Sequence, residues 1–287
     1  VQTHAVISNF SSSESWSILS GIERSIKAKV EAIGTPLKDW DIQINYGIKT
    51  GFNDAFIIDS SKRDEILDAC QSEDERQRTA EIIRPILRGR DIRRYSYDWA
   101  GLWLINTHNG IRGEVDRIHI EDYPSIKQHL DNYWDKIEPR ADQGETAYNL
   151  RNCAYLDDFS QPKIIWKRVG SIIRFSYDEN GVFGLDSTCF ATGKHIPYLC
   201  CVLNSSMGHY LLNAAPRTGT GDLLISVQAV EPVRVPIIDD NDGTFIELVK
   251  QYITQPSNNL DAEIDNLVFE LYGLNHEERE YIINNYR

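Results

Sequence analysis

The chain has 287 residues, of which 41% are hydrophobic and 25% are charged, and its formal net charge is −13. This composition is typical of a folded globular protein, and an aromatic content of 10% argues against disorder. No apolar run approaches the roughly 20 residues that cross a bilayer, and no signal peptide opens the chain. We therefore expect a cytoplasmic protein that neither spans a membrane nor is secreted.

The five cysteines also indicate a reducing compartment. Their number is odd, and no two of them are spaced as C-x-x-C. A disulfide framework or a zinc site would show paired or metal-type spacing. We therefore expect neither disulfides nor a metal in this chain.

Acidic residues are concentrated at the end of the chain. From Asp239 onward there are eleven acidic and three basic residues, whereas the first 238 residues hold 27 basic ones. Because the field of a protein depends on where its charges lie, the first part of the chain can still bind a polyanion. The chain begins at Val1 rather than Met, and we expect it to be a piece of a longer protein.

The hydrophobic pattern predicts alternating helices and strands. In chain order, we expect a helix over 14–33, strands over 41–46 and 55–59, charged helical residues over 60–83, and a strand over 101–106. A helix over 123–134 and a polar loop to about residue 160 follow. Strands over 162–169, 171–178 and 182–192 precede a buried helix over 196–212, which breaks near 204–206, and a strand near 230–238.

Two further patterns complete the predicted fold. Asn180-Gly181 lies between two strand-like runs, which is a strong signal for a hairpin that pairs 171–178 with 182–192. After Asp239, three segments with apolar spacing of three and four predict an acidic helical end. We therefore predict an α+β fold with three parts: an N-terminal segment with a connecting helix (1–36), a body (37–238) and C-terminal helices (239–287).

Motifs for catalysis are weak throughout the sequence. GIKTG at 47–51 lacks the spacing of a phosphate-binding loop, and the glycines near 219–222 lack the third glycine of a dinucleotide motif. The seven histidines are scattered, and no nucleophile or metalloprotease motif is present. We therefore predict no catalytic residue and no bound cofactor in this chain.

Clustered basic residues are the stronger signal. Five arginines fall between Arg84 and Arg94, and further basic residues follow in 163–174 and at Arg217. Arginine binds phosphates and guanine edges through its planar fork. The alternative is a protein-interaction or scaffold domain whose arginines form internal ion pairs with the acids of 72–81 and with Asp91.

Several segments, taken in order, resemble the TaqI-like C-terminal specificity domain of type IIG restriction-modification enzymes, which is related to type I specificity subunits. The segments that carry the resemblance are GIKTGFNDAFIID (47–59), EIIRPILRGRDIRRY (81–95), WLINTHNG (103–110), DYPSIKQHL (122–130), QPKIIWKRVG (161–170), RFSYD (174–178), YLCCVLNSS (198–206) and EIDNLVFELYGLNHEE (263–278). The resemblance implies a mixed β-sheet target recognition domain that reads double-stranded DNA.

The resemblance also implies partners. In this family the domain follows an adenine-specific DNA methyltransferase, with or without an endonuclease, in the parent chain. Because this chain lacks the N-P-P-Y motif and a nuclease signature, we expect it to be non-catalytic. S-adenosylmethionine and Mg²⁺ are expected only in the upstream domains.

The candidate DNA contacts combine the basic residues with positions that match the family motifs. The family positions matched here are Gly47, Thr50, Gly51, Asn53, Arg88, Gly89, Arg90, Asp91 and Ile92. The predicted DNA-binding residues are Lys49, Thr50, Asn53, Arg88, Arg90, Arg93, Lys167, Arg168, Arg217 and Thr218. Several of these positions have an alternative role in shaping the fold, since Asp91 can form a buried pair with Arg88 or Arg90.

Overall fold

The structure is a computed structural model, and it describes residues 20–239 and 242–286. Within these residues the chain forms twelve α-helices, twelve short strands and four 3-10 turns. This mixture of helices and mixed sheets confirms the predicted α+β class. The 3-10 turns are Leu37–Asp39, Gly89–Asp91, Ile120–Asp122 and Leu156–Ser160.

The first described helix, α1 (Gly21–Ile33), begins at a serine cap. The hydroxyl of Ser20 accepts a hydrogen bond from the backbone N–H of Glu23, and the Glu23 carboxylate accepts one from the N–H of Ser20. This reciprocal pair is a capping box. The helix ends at Gly34, as predicted. The earlier predicted start, over 14–19, lies outside the described residues.

A four-stranded antiparallel sheet separates two apolar cores. Its strands are β2 (Ile42–Tyr46), β6 (Lys163–Lys167), β8 (Phe175–Asp178) and β10 (Thr188–Gly193). They lie in the order β2–β10–β6–β8. Since side chains alternate between the faces of a strand, Ile164 and Trp166 pack into one core while Ile165 packs into the other.

A second four-stranded sheet lies against one of these cores. Its strands are β3 (Ile57–Asp59), β4 (Ile83–Leu87), β5 (Leu102–Ile105) and β9 (Phe183–Gly184). Their order is β3–β5–β4–β9, and β4 and β9 run parallel. Two strand pairs complete the sheets: β1 (Thr35–Pro36) with β12 (Arg234–Val235), and β7 (Val169–Gly170) with β11 (Leu223–Leu224).

The predicted hairpin at Asn180-Gly181 is wrong. Strands β8 and β10 are not neighbours, because β6 lies between them and pairs with both. After Gly181, which has a φ of 71°, the chain crosses to the second sheet and forms β9. There the ring of Phe183 stacks on that of Phe159 at 4.5 Å inside the core between the sheets. Burial of this aromatic pair outweighs the local turn signal.

The helices divide between the two cores. Those near the second sheet are α2 (Asn53–Phe56), α3 (Ser60–Asp68), α4 (Glu73–Ile82), α5 (Pro124–Asp131) and α6 (Trp134–Ile137). The remaining helices are α7 (Ile196–Asn204), α8 (Ser206–Leu212), α9 (Val227–Val230), α10 (Gly243–Thr254), α11 (Asn258–Leu271) and α12 (His276–Tyr286). The predicted break in the buried helix is confirmed at Ser205, whose hydroxyl caps α8. The predicted strand over 55–59 is shorter, because α2 takes its first two residues.

The three C-terminal helices are confirmed, and they pack against α1, α7 and α8. The carboxylate of Glu278 is buried and accepts hydrogen bonds from Ser25 at 2.7 Å and Lys29 at 2.6 Å, which joins α12 to α1. All five cysteines are free thiols. None of the helices in the described residues combines the length and apolarity needed to cross a membrane.

Candidate nucleic-acid interface

The first part of the candidate interface is a small open depression beside the arginine segment. It has a volume of about 230 Å³ and is bordered by the 3-10 turn after β4, the end of β6 and the turn before β8. We call it the arginine depression. Its basic residues are Arg90, Arg93, Lys167 and Arg174.

A glycine allows the arginine depression to form. A Cβ atom on Gly89 would lie 2.8 Å from Cγ of Lys167, closer than side chains approach one another. The N–H of Gly89 also donates to the hydroxyl of Ser187 at 3.0 Å, which ties the turn to the loop before β10. Gly89 therefore lets the β4 turn lie directly against the end of β6.

A second depression has a volume of about 370 Å³. Arg168 lines it, and the preceding residue, Lys167, lines the arginine depression. The guanidinium of Arg168 lies 5.9 Å from the ring of Tyr46. Lys49 and Arg151 also line this depression. We call it the tyrosine depression.

A third and larger depression, of about 640 Å³, is formed by the loops around 109–119 and 145–154. We call it the loop depression. Asn152 and Cys153 line both the loop depression and the tyrosine depression, so the two are continuous. The basic residues of the loop depression are Arg112 and Arg117. Part of the polar stretch that ends near residue 160 therefore lines the loop depression and the tyrosine depression.

The tyrosine and loop depressions share walls, and the arginine depression follows them along the chain at Lys167 and Arg168, so we call the linings of all three together the basic face. It carries nine cationic side chains, and four of them pair with carboxylates: Arg93 with Asp98, Lys49 and Arg151 with Asp142, and Arg117 with Glu145. The hydrogen bond from Lys49 lowers the pKa of Asp142. The other five have no ion-pair or side-chain hydrogen-bond partner among the described residues: Arg90, Arg112, Lys167, Arg168 and Arg174.

The arginine run of 84–94 divides between this face and the interior. Arg88 binds Asp91 through two hydrogen bonds of 3.0 and 2.7 Å, and Asp91 is only 4% exposed. Burial opposes ionisation of Asp91, but the hydrogen bonds from Arg88 lower its pKa. The predicted alternative of a buried pair is therefore observed for Arg88, while Arg90 remains free on the surface.

Another member of the run joins the body to the C-terminal helices. Arg94 pairs with Asp261 at 2.8 Å and donates to the hydroxyl of Tyr252 and the carbonyl of Asn204. Arg84 is half-buried, with its guanidinium 5.8 Å from a phenylalanine ring. Among the ion pairs of the described residues, none joins an arginine of 84–94 to an acid of 72–81, so that part of the alternative is wrong.

Two of the predicted DNA contacts, Thr50 and Asn53, stabilise a turn by bonding to each other. Thr50 is 1% exposed, and its hydroxyl donates to Oδ1 of Asn53 at 2.6 Å. The carbonyl of Thr50 accepts from the buried guanidinium of Arg140 at 2.5 Å. Arg140 also lies 4.3 Å from the ring of Phe56, and burial lowers its pKa to about 10. This arginine, which sequence reasoning missed, fixes the turn that presents Lys49.

Two other predicted contacts lie outside the three depressions. Arg217 donates to the carbonyl of Gly221 and to the side chain of Asn213, both at 3.0 Å. The hydroxyl of Thr218 bonds that of Thr220. Of the ten predicted residues, Arg90, Arg93 and Lys167 line the arginine depression, and Lys49 and Arg168 line the tyrosine depression.

The basic face also contains residues absent from the prediction. Arg112, Arg151 and Arg174 lie apart in the sequence, and only Arg174 belongs to a basic segment. No motif marks the other two, because their place on the face depends on how the long loops fold. Nowhere in residues 20–239 and 242–286 are three or more potential metal ligands grouped.

Part of the chain matches a known family, and nearly all of it shares a fold with solved structures. Residues 84–221 match the TaqI-like C-terminal specificity domain. No curated protein matches the sequence. Among solved structures, the fold is similar to the type IIL restriction-modification enzyme MmeI in complex with DNA, with a TM-score of 0.60 and 11% identity. It is also similar to the type IIG restriction endonuclease BpuSI, with a TM-score of 0.51 and 15% identity.

This chain corresponds to a minor part of each restriction enzyme. Each structural match covers 88% of this chain. The match covers 37% of MmeI and 34% of BpuSI, so the chain spans about a third of either enzyme. At these identities the similarity establishes a shared fold. The family match includes all five unpaired cations of the basic face. Residues 84–221 thus match the TaqI-like C-terminal specificity domain, and the chain shares its fold with two restriction enzymes.

Proposed function

We propose that this chain is the target recognition domain of a restriction-modification enzyme and that its basic face binds double-stranded DNA. The observation that carries the proposal is the group of five unpaired cations that line these three depressions, in a chain of net charge −13. Cations without carboxylate partners are available to phosphates. The match of residues 84–221 to a specificity domain supports the same function.

Binding would combine two kinds of contact. Lysine and arginine side chains neutralise phosphates and position the domain on the duplex without reading sequence. Base edges in the major groove are then read by side chains with fixed geometry, and a good bidentate contact discriminates by about 1–3 kcal/mol. Arg90 and Arg112, both exposed and unpaired, are our candidates for the phosphate contacts, together with the predicted Lys167 and Arg168.

The chemistry would take place outside this chain. On the proposed function, an adenine-specific methyltransferase, with or without an endonuclease, lies upstream in the parent protein and binds S-adenosylmethionine and Mg²⁺. The present residues would then supply sequence recognition alone. The acidic C-terminal helices, which would repel DNA, would face away from the duplex or contact the upstream domains.

A selection experiment tests the proposal. The chain is incubated with a pool of random duplexes, bound DNA is amplified over several rounds, and the enriched sequence is measured by gel shift. We expect one motif to be enriched, and the double variant Lys167→Ala/Arg174→Ala to bind it more weakly. Arg24→Ala and Lys250→Ala, which remove exposed cations outside the three depressions, serve as matched controls and should bind like the wild type.

The alternative of an interaction or scaffold domain predicts a different result. The internal partners of Arg88 and Arg94 favour a structural role for those two residues. If the whole run is structural, no motif is enriched. Equal binding by the wild type and the double variant would also contradict the proposed function.

A further inference from the structure

The arginine depression contains an exposed aliphatic side chain. Ile172 is 59% exposed and lies in the turn between β7 and β8. Three cations without carboxylate partners, Arg90, Lys167 and Arg174, line the same depression. A lone exposed isoleucine is common on protein surfaces, but one placed among three free cations marks a site that joins apolar and electrostatic contacts.

The turn that carries Ile172 is anchored on both sides. Before it, β7 pairs with β11 through Val169 and Gly170. After it, Ile173 is only 9% exposed and packs into the apolar core beside Phe175. The side chain of Ile172 is therefore presented from a fixed backbone, as the reading of a single base position requires.

The chemistry of DNA suggests what such a side chain would contact. In the major groove, hydrogen-bond donors and acceptors line every base pair, and the only apolar group is the C5 methyl of thymine. A surface that offers three cations to phosphates and an isoleucine in the same depression is complementary to that methyl group and its flanking backbone.

We propose that Ile172 is a specificity-determining residue that contacts the C5 methyl of one thymine in the recognised sequence. Arg90, Lys167 and Arg174 would bind the neighbouring phosphates and hold the base edge against it. This inference rests on the proposed function, since it requires that duplex DNA occupies the basic face. It adds to that function a chemical identity for one position of the target.

A different role for the same side chain must be separated from this one. Isoleucine is also among the residues that insert between base pairs and kink the duplex. Such a wedge depends on unstacking and not on the methyl group. Uracil, which is thymine without its C5 methyl, distinguishes the two roles.

The experiment uses the motif enriched by selection. Each thymine of the motif, on either strand, is replaced in turn by deoxyuridine, and affinities are measured by fluorescence anisotropy for the wild type and for Ile172→Ala. We expect one replacement to weaken wild-type binding about fourfold, the effect of one buried methyl group. Ile172→Ala should bind the thymine and uracil duplexes equally, and Ile172→Val should keep most of the discrimination.

Matched controls make the result specific to this site. Ile237→Ala removes an isoleucine that is 62% exposed and lines none of the three depressions, so it should discriminate thymine from uracil like the wild type. Thermal melting of Ile172→Ala should match that of the wild type, because the side chain is exposed.

Three outcomes would overturn the inference while DNA recognition still stands. They are a motif of G·C pairs alone, a thymine preference that persists in Ile172→Ala, and an equal loss of affinity for thymine and uracil duplexes in that variant. The last would indicate a wedge. If the selection enriches no motif, the proposed function and this inference are both wrong.

Discussion

The salt dependence of DNA binding follows from the number of free cations on the basic face. Each phosphate contact contributes about −0.9 to the slope of log K against log salt concentration. Five unpaired cations line the three depressions, so the slope should be about −4.5. Raising the salt concentration from about 50 to 200 mM should then weaken binding about 500-fold.

A single substitution tests the count. Lys167 is exposed and has no carboxylate partner within the described residues, so Lys167→Ala removes one phosphate contact without breaking an ion pair. The slope should become shallower by about 0.9. Arg88→Ala removes an arginine that Asp91 already neutralises, and Lys250→Ala removes an exposed cation elsewhere. Neither of these should change the slope.

The assay is fluorescence anisotropy of a labelled duplex at five or more salt concentrations. A wild-type slope shallower than about −2 would mean that most of the five cations do not contact phosphates. An unchanged slope in Lys167→Ala would refute the assignment of that residue. A slope change in Lys250→Ala equal to that in Lys167→Ala would show binding without a defined face.

Further predictions concern stability and its link to the site. Asp178→Asn leaves the fully buried Nζ of Lys163, 2.5 Å away, without a counter-charge, so urea denaturation should show a loss of about 3–5 kcal/mol; a loss below about 1 kcal/mol would contradict this. Arg94→Ala removes the contact to Asp261 and should cost about 2 kcal/mol while leaving the salt slope unchanged; a shallower slope would place Arg94 on the DNA surface. Burial lowers the pKa of His129, so the unfolded state takes up this proton first, and the free energy of unfolding should fall as the pH drops below about 6.5. Thermal melts at two pH values should show a weaker fall in His129→Gln, and an equal fall in both proteins would refute the assignment.

Local sequence was enough to predict most elements of this protein. The C-terminal helices, the break in the helix over 196–212 and the strands near 41–46 and 162–169 all appear where the hydrophobic period places them. The reason is that helix caps, turn residues and apolar spacing act over a few residues. The order of the family segments likewise indicated the specificity-domain family, which the match over 84–221 bears out.

Local sequence signals could not predict the pairing between strands that are distant in the chain. The turn at Asn180-Gly181 resembles a hairpin, but Phe183 gains more by crossing into the core between the sheets. Strand β4 also went unpredicted, since its Arg84-Pro85 pair does not resemble a buried strand. Burial of a ring depends on partners far away in the chain, and no short window contains them.

The partition of the arginines was likewise decided by tertiary structure. Arg88 and Arg90 are two residues apart in the sequence, yet a 3-10 turn directs one onto Asp91 and leaves the other free in the arginine depression. Arg112 joins the same face only because its loop shares walls with the tyrosine depression. Sequence by itself therefore determined which cations this protein has and which family it resembles. The tertiary structure decided which of these cations remain unpaired. A carboxylate neutralises a guanidinium when the two are close in space, however far apart they are along the chain.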